Sequence, residues 1–166
     1  MTAATEIAVR MGEIAVSSNP DDVLLSIGLG SCIGLALVDQ RRGIAGLAHV
    51  MLPEAPTGGG PAGKFADLAV PELVEQVTAL GGSRPLLRAV IVGGAQMFSL
   101  GSSAAMDIGV RNDAAVRAAL AKERISIVAA EVGGSNGRTI RVIPGGAVLS
   151  KEAGGAEKDL MNGVRP

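Results

Sequence analysis

Short apolar runs separated by turn residues dominate the first third of the chain. Val23–Ile27, Ile33–Val38 and Ile44–Met51 are rich in aliphatic residues, and glycine or charged residues lie between them. Runs of this length that are bounded by turn residues are typical of β-strands. The pattern therefore predicts three strands joined by short turns.

The remaining two thirds of the chain predict two helices and further strands. Phe65–Leu80 has apolar residues at helical spacing before a Gly-Gly pair, and a second helix is predicted from Asp113 to Arg124 with Asn112 as its N-cap. Apolar runs between turn residues predict four more strands, at Leu87–Val92, Ile125–Glu131, Thr139–Ile143 and Ala147–Leu149. These elements predict an α+β fold with mostly antiparallel strands.

The length of 166 residues is that of one ordinary domain. We expect a single domain over residues 1–150. The tail of residues 151–166 has glycines and scattered charges, so we expect it to be poorly ordered.

Composition and charge exclude several classes of function. Fifteen basic and sixteen acidic residues give a net charge of -1, which argues against a nucleic-acid partner. The two longest uncharged segments are broken by glycine and serine, so we expect no membrane insertion. The one cysteine precludes an intrachain disulfide and a multi-cysteine zinc site, and the first residues lack an apolar signal segment. We therefore expect a cytoplasmic protein without a metal.

A glycine pattern at Gly28, Gly30 and Gly34 superficially imitates a dinucleotide-binding turn. Such a turn leads into a full helix. Here the following residues, Ile33–Val38, have the character of a strand. Nucleotide binding is therefore disfavoured, and no cofactor is expected.

Cys32 and His49 are the only cysteine and the only histidine in the chain. If Val38 pairs with Gly43 across the predicted hairpin, Cys32 lies directly opposite His49 on the same face of the sheet. A change of one residue in the register would reverse this arrangement. A buried cysteine that only fills space and a histidine with a structural hydrogen bond are the alternative interpretation.

A thiol beside an imidazole is a chemical pair suited to acyl transfer. The imidazole takes the thiol proton, and the thiolate attacks an amide or ester carbonyl. Ser26, the nearest upstream hydroxyl, is the candidate for a third group that holds the imidazole. Backbone N–H groups at Gly30, Ser31 and Cys32 are candidates for stabilising the oxyanion.

The segments Gly28–Ile33 and Ala48–Pro53 resemble those of the chemoreceptor glutamine deamidase family, CheD. Further segments that resemble this family follow in the same order along the chain: Gly12-Glu13, Lys64–Asp67, Gly93–Phe98, Ile108–Asn112 and Glu131–Gly134. Several motifs in one order are more specific than any single glycine pattern.

The resemblance implies a cysteine hydrolase that converts glutamines of methyl-accepting chemotaxis receptors to glutamate. It implies Cys32 as nucleophile and His49 as base, and it places Ser26 at a third catalytic position where the family usually has threonine. It also implies a sandwich of β-sheets with flanking helices. The expected partners are the cytoplasmic domains of the receptors.

The resemblance also implies a second kind of partner, a phosphatase of the CheC type. Met97 and Phe98 belong to a loop that the family uses for contacts, which makes them candidate partner-binding residues. The alternative function is therefore a non-catalytic module that regulates such a phosphatase. Hydrolysis of receptor glutamate methyl esters by the same thiol is a third interpretation.

Overall fold

The computed structural model describes residues 3–96 and 108–165. In chain order, the strands are β1 (Thr5–Ala8), β2 (Ile14–Ser17), β3 (Asp22–Leu29), β4 (Ile33–Asp39), β5 (Ile44–Val50), β6 (Arg88–Gly93), β7 (Ser126–Val132), β8 (Arg138–Val142), β9 (Val148–Glu152) and β10 (Glu157–Asp159). The helices are α1 (Ala66–Ala79) and α2 (Ile108–Lys122), with 3-10 turns at Ala62–Lys64 and Arg84–Leu86.

The described strands form two five-stranded sheets. The outer sheet has the order β1-β3-β8-β9-β10, and the inner sheet has the order β2-β5-β4-β6-β7. Among the described strands, β1 with β3 and β6 with β7 pair in parallel, and the other neighbours are antiparallel. The predicted α+β fold with mostly antiparallel strands is confirmed.

The inner sheet lies between the helices and the outer sheet. On one of its faces, Leu35 and Leu37 belong to a buried cluster with Leu73 of α1 and Leu120 of α2. Residues on its other face belong to a second buried cluster that includes Leu24 and Ile140 of the outer sheet. The inner strands are therefore apolar on both faces, which is why they appear as continuous runs in the sequence.

Both predicted helices exist, but the first turn of the second differs from the sequence prediction. Helix α1 begins after Phe65 and contains Pro71 in its interior. Helix α2 begins at Ile108, so Asn112 lies inside the helix, and its prediction as N-cap is wrong. The reason is that its side chain is fully buried and bonds to segments outside the helix. No helix within the two described ranges is long and apolar enough to cross a membrane.

The C-terminal residues are more regular than their composition predicts. Strand β9 continues to Glu152, β10 pairs with it, and the side chain of Met161 is 4% exposed. The sequence gives no strand signal here because β10 is an exposed edge strand of three residues without a buried face. The edge strands β1 and β2, of four residues each, carry a similarly weak signal.

Candidate active site

His49 lies on β5 opposite Gly34 of β4. The predicted register, with Cys32 directly opposite His49, is therefore wrong by two residues: Val38 pairs with Ala45. A shift of two residues leaves every side chain on its predicted face, because the side-chain period of a strand is two. Cys32 immediately precedes β4, so it is a diagonal neighbour of His49 on the same face. Such neighbours are about 7–8 Å apart, within reach of long side chains.

The register differs because of the turn that follows β4. The strand continues to Asp39, whose carboxylate is fully buried and accepts hydrogen bonds from the N–H groups of Arg42 (3.0 Å) and Ser83 (2.8 Å). An Asp that bonds to backbone N–H groups in this way stabilises a tight turn. The charged residue therefore belongs to the strand end and not to the loop, which moves the pairing.

The imidazole of His49 is held in one tautomer. Its Nδ1 lies 3.0 Å from the carbonyl oxygen of Val9, and the side chain is 6% exposed. A carbonyl oxygen only accepts hydrogen bonds, so Nδ1 carries the proton and donates. In the neutral ring, Nε2 then has a lone pair and can act as a base.

The backbone of His49 is fixed by the turn before β2. Its N–H donates to the carbonyl of Glu13 at 3.0 Å, and its carbonyl accepts from the N–H of Gly12 at 2.9 Å. Gly12 has a φ of +80°, a conformation that favours glycine. The Gly12-Glu13 motif thus positions the histidine strand.

Ser26 and His49 share one hydrogen-bond acceptor. The hydroxyl of Ser26, which is 1% exposed, donates to the carbonyl of Val9 at 2.7 Å. The N–H of Val9 in turn donates to the carbonyl of Leu25 at 2.7 Å. The direct partner of the imidazole is therefore a main-chain carbonyl, which no residue-type pattern indicates, and the hydroxyl of Ser26 donates to that same carbonyl.

A β-bulge separates Ser26 from the end of β3. Ser26 pairs with Ile140 and Leu29 pairs with Arg138, so β3 has one extra residue relative to β8. Such a bulge redirects side chains. As a result, Ser26 and Leu29 are both buried, whereas Ile27 between them is 71% exposed.

Cys32 lies in the loop between β3 and β4. Hydrogen bonds to the main-chain carbonyls of this loop hold it in place. The three consecutive carbonyls of Gly30–Cys32 accept hydrogen bonds, in chain order, from the N–H of Ala95 (2.8 Å), the side-chain amide of Asn112 (2.9 Å) and the N–H of Gly94 (2.9 Å). Each peptide of the loop is thereby fixed in orientation.

The orientation of these peptides determines where their N–H groups point. In a planar trans peptide, the N–H points opposite to the carbonyl. The N–H of Ser31 therefore points away from Ala95, and the N–H of Cys32 points away from Asn112. The roles of Gly30, Ser31 and Cys32 as oxyanion donors stay predictions.

The Gly93-Gly94 pair passes directly over the peptide of Cys32. Gly93 has a φ of +117°, and a Cβ atom at this position would overlap the carbonyl oxygen of Cys32. A residue with a side chain would therefore displace the cysteine loop. The glycines of this motif hold the loop, whereas Met97 and Phe98 of the same motif lie outside the described residues.

Asn112 joins the cysteine loop to the histidine strand. Its fully buried amide nitrogen donates to the carbonyl of Ser31 and to that of Met51, each at 2.9 Å. Ser31 precedes Cys32, and Met51 follows His49 by two residues. The sequence does not indicate this role, because an Asn at an apparent helix start is usually a cap.

Burial shifts the pKa values of the Cys32 thiol and the His49 imidazole. Desolvation raises the pKa of the Cys32 thiol. Desolvation also lowers the pKa of His49, opposed by the hydrogen bond to Val9 and the nearby carboxylate of Glu13. Near neutral pH, both the thiol and the imidazole are therefore uncharged in the resting protein.

A pocket of about 400 Å³ borders the imidazole. Its lining includes Val9, His49 and two exposed apolar side chains, Met11 (62% exposed) and Ile27 (71% exposed). Cys32 is not part of this lining. Within the part of the chain that the structure describes, no group of three or more His, Cys, Asp or Glu side chains could hold a metal ion.

Residues 51–152 match the family model described as CheD chemotactic sensory transduction. A protein of Symbiobacterium thermophilum, named probable chemoreceptor glutamine deamidase CheD, is 46% identical over 92% of this chain and 96% of its own length. A protein of the same name from Clostridium botulinum strain Eklund 17B is 45% identical over 82% of this chain and 85% of its own.

Among solved structures, the crystal structure of Bacillus licheniformis hypothetical protein YfiH is similar to this fold. The TM-score is 0.46 at 14% identity, over 74% of this chain and 49% of that one. Similarity at this level carries no inference about function.

Proposed function

We propose a reaction for this chain from the premise that it belongs to the CheD family. The reaction is the deamidation of glutamine side chains in methyl-accepting chemotaxis receptors, which yields glutamate and ammonia and thereby regulates chemotaxis. The relatives' name supports the substrate. The observation that carries the chemistry is the tautomer of His49, whose Nε2 is available as a base on the sheet face that Cys32 shares.

The first step is attack of the thiol on the amide. Because burial keeps Cys32 as a thiol and His49 neutral, no thiolate–imidazolium pair is formed in advance. His49 Nε2 takes the thiol proton as the sulfur attacks the glutamine carbonyl carbon. A C–S bond forms, the carbonyl π bond breaks, and the charge moves to the oxygen.

The resulting oxyanion needs hydrogen-bond donors. We assign this role to the N–H groups of Ser31 and Cys32, whose peptides are fixed by bonds to their carbonyls. Donors that are already in place lose no reorganisation energy during the reaction, and each one typically accelerates such a step about 100- to 1,000-fold.

The last steps release ammonia and regenerate the thiol. The imidazolium of His49 gives its proton to the leaving nitrogen, the C–N bond breaks, and a thioester with Cys32 remains. His49 then takes a proton from water, and the hydroxide attacks the thioester. The C–S bond breaks, glutamate is formed, and the proton returns to the sulfur. One water is consumed and one ammonia is released.

Ser26 supports the base without touching the substrate. Its hydroxyl and the imidazole both donate to Val9, so the hydroxyl fixes the carbonyl that sets the tautomer and the direction of the ring. Serine retains the hydroxyl that threonine would supply at this position, but it has no methyl group to restrict its rotamer.

The experiment is mass spectrometry of peptides from a receptor cytoplasmic domain that has been incubated with the protein. We expect amide-to-acid conversion at particular glutamines, and none with Cys32→Ala at equal concentration. Cys32→Ser is a matched control, because it replaces the thiol with a hydroxyl of similar size that is a much weaker nucleophile. Turnover by Cys32→Ala would contradict the thiol mechanism.

The same experiment separates the other interpretations. Loss of methyl groups from glutamate esters, without conversion of glutamine, would indicate an esterase. If neither reaction occurs with several receptors, the binding module for a CheC-type phosphatase becomes the leading hypothesis. It predicts that Phe98→Ala weakens phosphatase binding while Cys32→Ala leaves it unchanged.

A further inference from the structure

We propose that Asn112 is a positioning residue that sets the distance between the nucleophile and the base of this site. The inference rests on the proposed function for its reaction, but its geometry does not depend on the substrate. A single side-chain amide bonds both segments that carry the reactive groups.

The two bonds fix main-chain atoms close to the reactive residues on both sides. The carbonyl of Ser31 belongs to the peptide that contains the nitrogen of Cys32. The carbonyl of Met51 lies just beyond the end of β5, two residues after His49. Strands β4 and β5 are already paired with each other. The Asn112 amide adds a second link between the segments, because it joins the residue before Cys32 to the residue two positions after His49.

The helix that carries Asn112 is itself docked against the cysteine loop. A Cβ atom on Gly109 would lie 2.6 Å from the carbonyl oxygen of Gly94 and 2.7 Å from that of Ala95. The N–H groups of Gly94 and Ala95 hold Cys32 and Gly30. The first turns of α2 therefore rest on the segment that holds the loop, and Asn112 completes the attachment.

The chemistry of Asn112 is not that of a residue that only fills the core. Its amide oxygen is buried and has no hydrogen-bond partner among the described residues. A buried amide is costly unless it is hydrogen-bonded, so a side chain that only filled space here would be apolar. The structure retains an amide whose NH2 group supplies both donors that the two carbonyls need.

The test is the turnover of glutamine by Asn112→Leu and Asn112→Ala. Leu replaces the amide with an apolar group of similar volume, and Ala serves if Leu does not fold. A misplacement of about 1 Å can lower a rate about 100-fold, so we expect kcat to fall about 10- to 100-fold. KM should stay within about twofold, because Asn112 is buried and does not contact the substrate.

The matched control is Val116→Ala. Val116 is fully buried one turn further along α2 and packs in the helix-facing core without bonding either loop. The Val116→Ala variant should lower Tm as much as the Asn112 variants do while keeping kcat within about twofold. An Asn112 variant that folds and retains wild-type kcat would overturn the proposal.

A second readout keeps the proposal testable if no receptor glutamine is converted. The rate of Cys32 alkylation by iodoacetamide is measured against pH in the wild type, His49→Ala, Asn112→Ala and Val116→Ala. We expect the Asn112→Ala profile to shift from the wild-type profile toward that of His49→Ala, and the Val116→Ala profile to stay with the wild type.

If Asn112→Ala follows the wild type, or if His49→Ala leaves the profile unchanged, Asn112 does not set a thiol–imidazole distance. If the alkylation profile shifts as expected but no glutamine is converted, the deamidase proposal is rejected and the positioning role of Asn112 stands.

Discussion

The proposed base side (His49) and the proposed nucleophile side (Cys32) of this site are built by different means. His49 lies inside β5, with its backbone bonded to Gly12 and Glu13 and its ring bonded to Val9. Cys32 lies in a loop between strands, and bonds from Ala95, Asn112 and Gly94 to consecutive carbonyls hold that loop. His49 is therefore held mainly within a sheet, whereas the loop of Cys32 is held by segments that are distant from it in the chain.

In the proposed reaction, the two sides have separate tasks. A base needs a fixed tautomer and ring direction, which a strand and one carbonyl provide. The proposed nucleophile also carries the proposed oxyanion donors on its own backbone, and a loop that is held from the carbonyl side leaves its N–H groups free for that role. Changes on the base side should therefore affect proton transfer, and changes around the loop should affect geometry.

The largest expected effect is the loss of either reactive side chain. Cys32→Ala should abolish turnover, and His49→Ala should lower kcat about 100- to 10,000-fold, because the thiol is not ionised in advance and needs a base. Single-turnover assays with a receptor domain measure both, and circular dichroism checks that the variants fold. A His49→Ala variant with wild-type kcat would show that the thiol needs no imidazole.

The next effect concerns the support of the cysteine loop. Gly93→Ala places a Cβ atom where the carbonyl oxygen of Cys32 lies, in a backbone conformation that alanine rarely adopts. We expect kcat to fall about 100-fold through misplacement, together with a loss of stability.

Gly133→Ala provides the control for strain alone. Gly133 also has a positive φ, but a Cβ there would meet nothing within 4 Å among the described residues. It should lower Tm and retain most of the turnover. Equal kcat values for the two variants would mean that loop displacement is not the cause.

A smaller effect is expected at Ser26. Ser26→Ala removes the hydrogen bond to Val9 but leaves the bond from the imidazole, so kcat should fall about three- to tenfold, in line with one neutral hydrogen bond. Ser26→Thr retains the hydroxyl and should stay within about twofold of the wild type. Steady-state kinetics with one receptor domain compares the two variants, and no loss in Ser26→Ala would remove Ser26 from the site.

The sequence predicts the elements of this site better than their contacts. The strands around Cys32 and His49 and the face that both share follow from apolar runs and a period of two. The exact register does not, because it depends on the buried carboxylate of Asp39. The roles of Val9 and Asn112 depend on which distant segments the fold brings together, and a main-chain carbonyl leaves no trace in residue type.

The smallest effect is on stability, and its sign differs between the two sides. His49 has a lowered pKa in the folded protein, so below about pH 6.5 the unfolded chain binds more protons and the free energy of unfolding falls as pH falls. Cys32 has a raised pKa, so above about pH 8.5 the unfolded chain loses its proton first and stability falls as pH rises.

Urea unfolding measured from below about pH 6.5 to above about pH 8.5 should separate the contributions of His49 and Cys32 to stability. The slope due to one group is at most about 1.4 kcal/mol per pH unit. His49→Gln should flatten the acid side of the profile and Cys32→Ala the alkaline side, each leaving the opposite side unchanged. If His49→Gln retains the full acid slope, the buried imidazole is not the group that titrates. The inference that His49 is neutral in the resting protein would then lose its support.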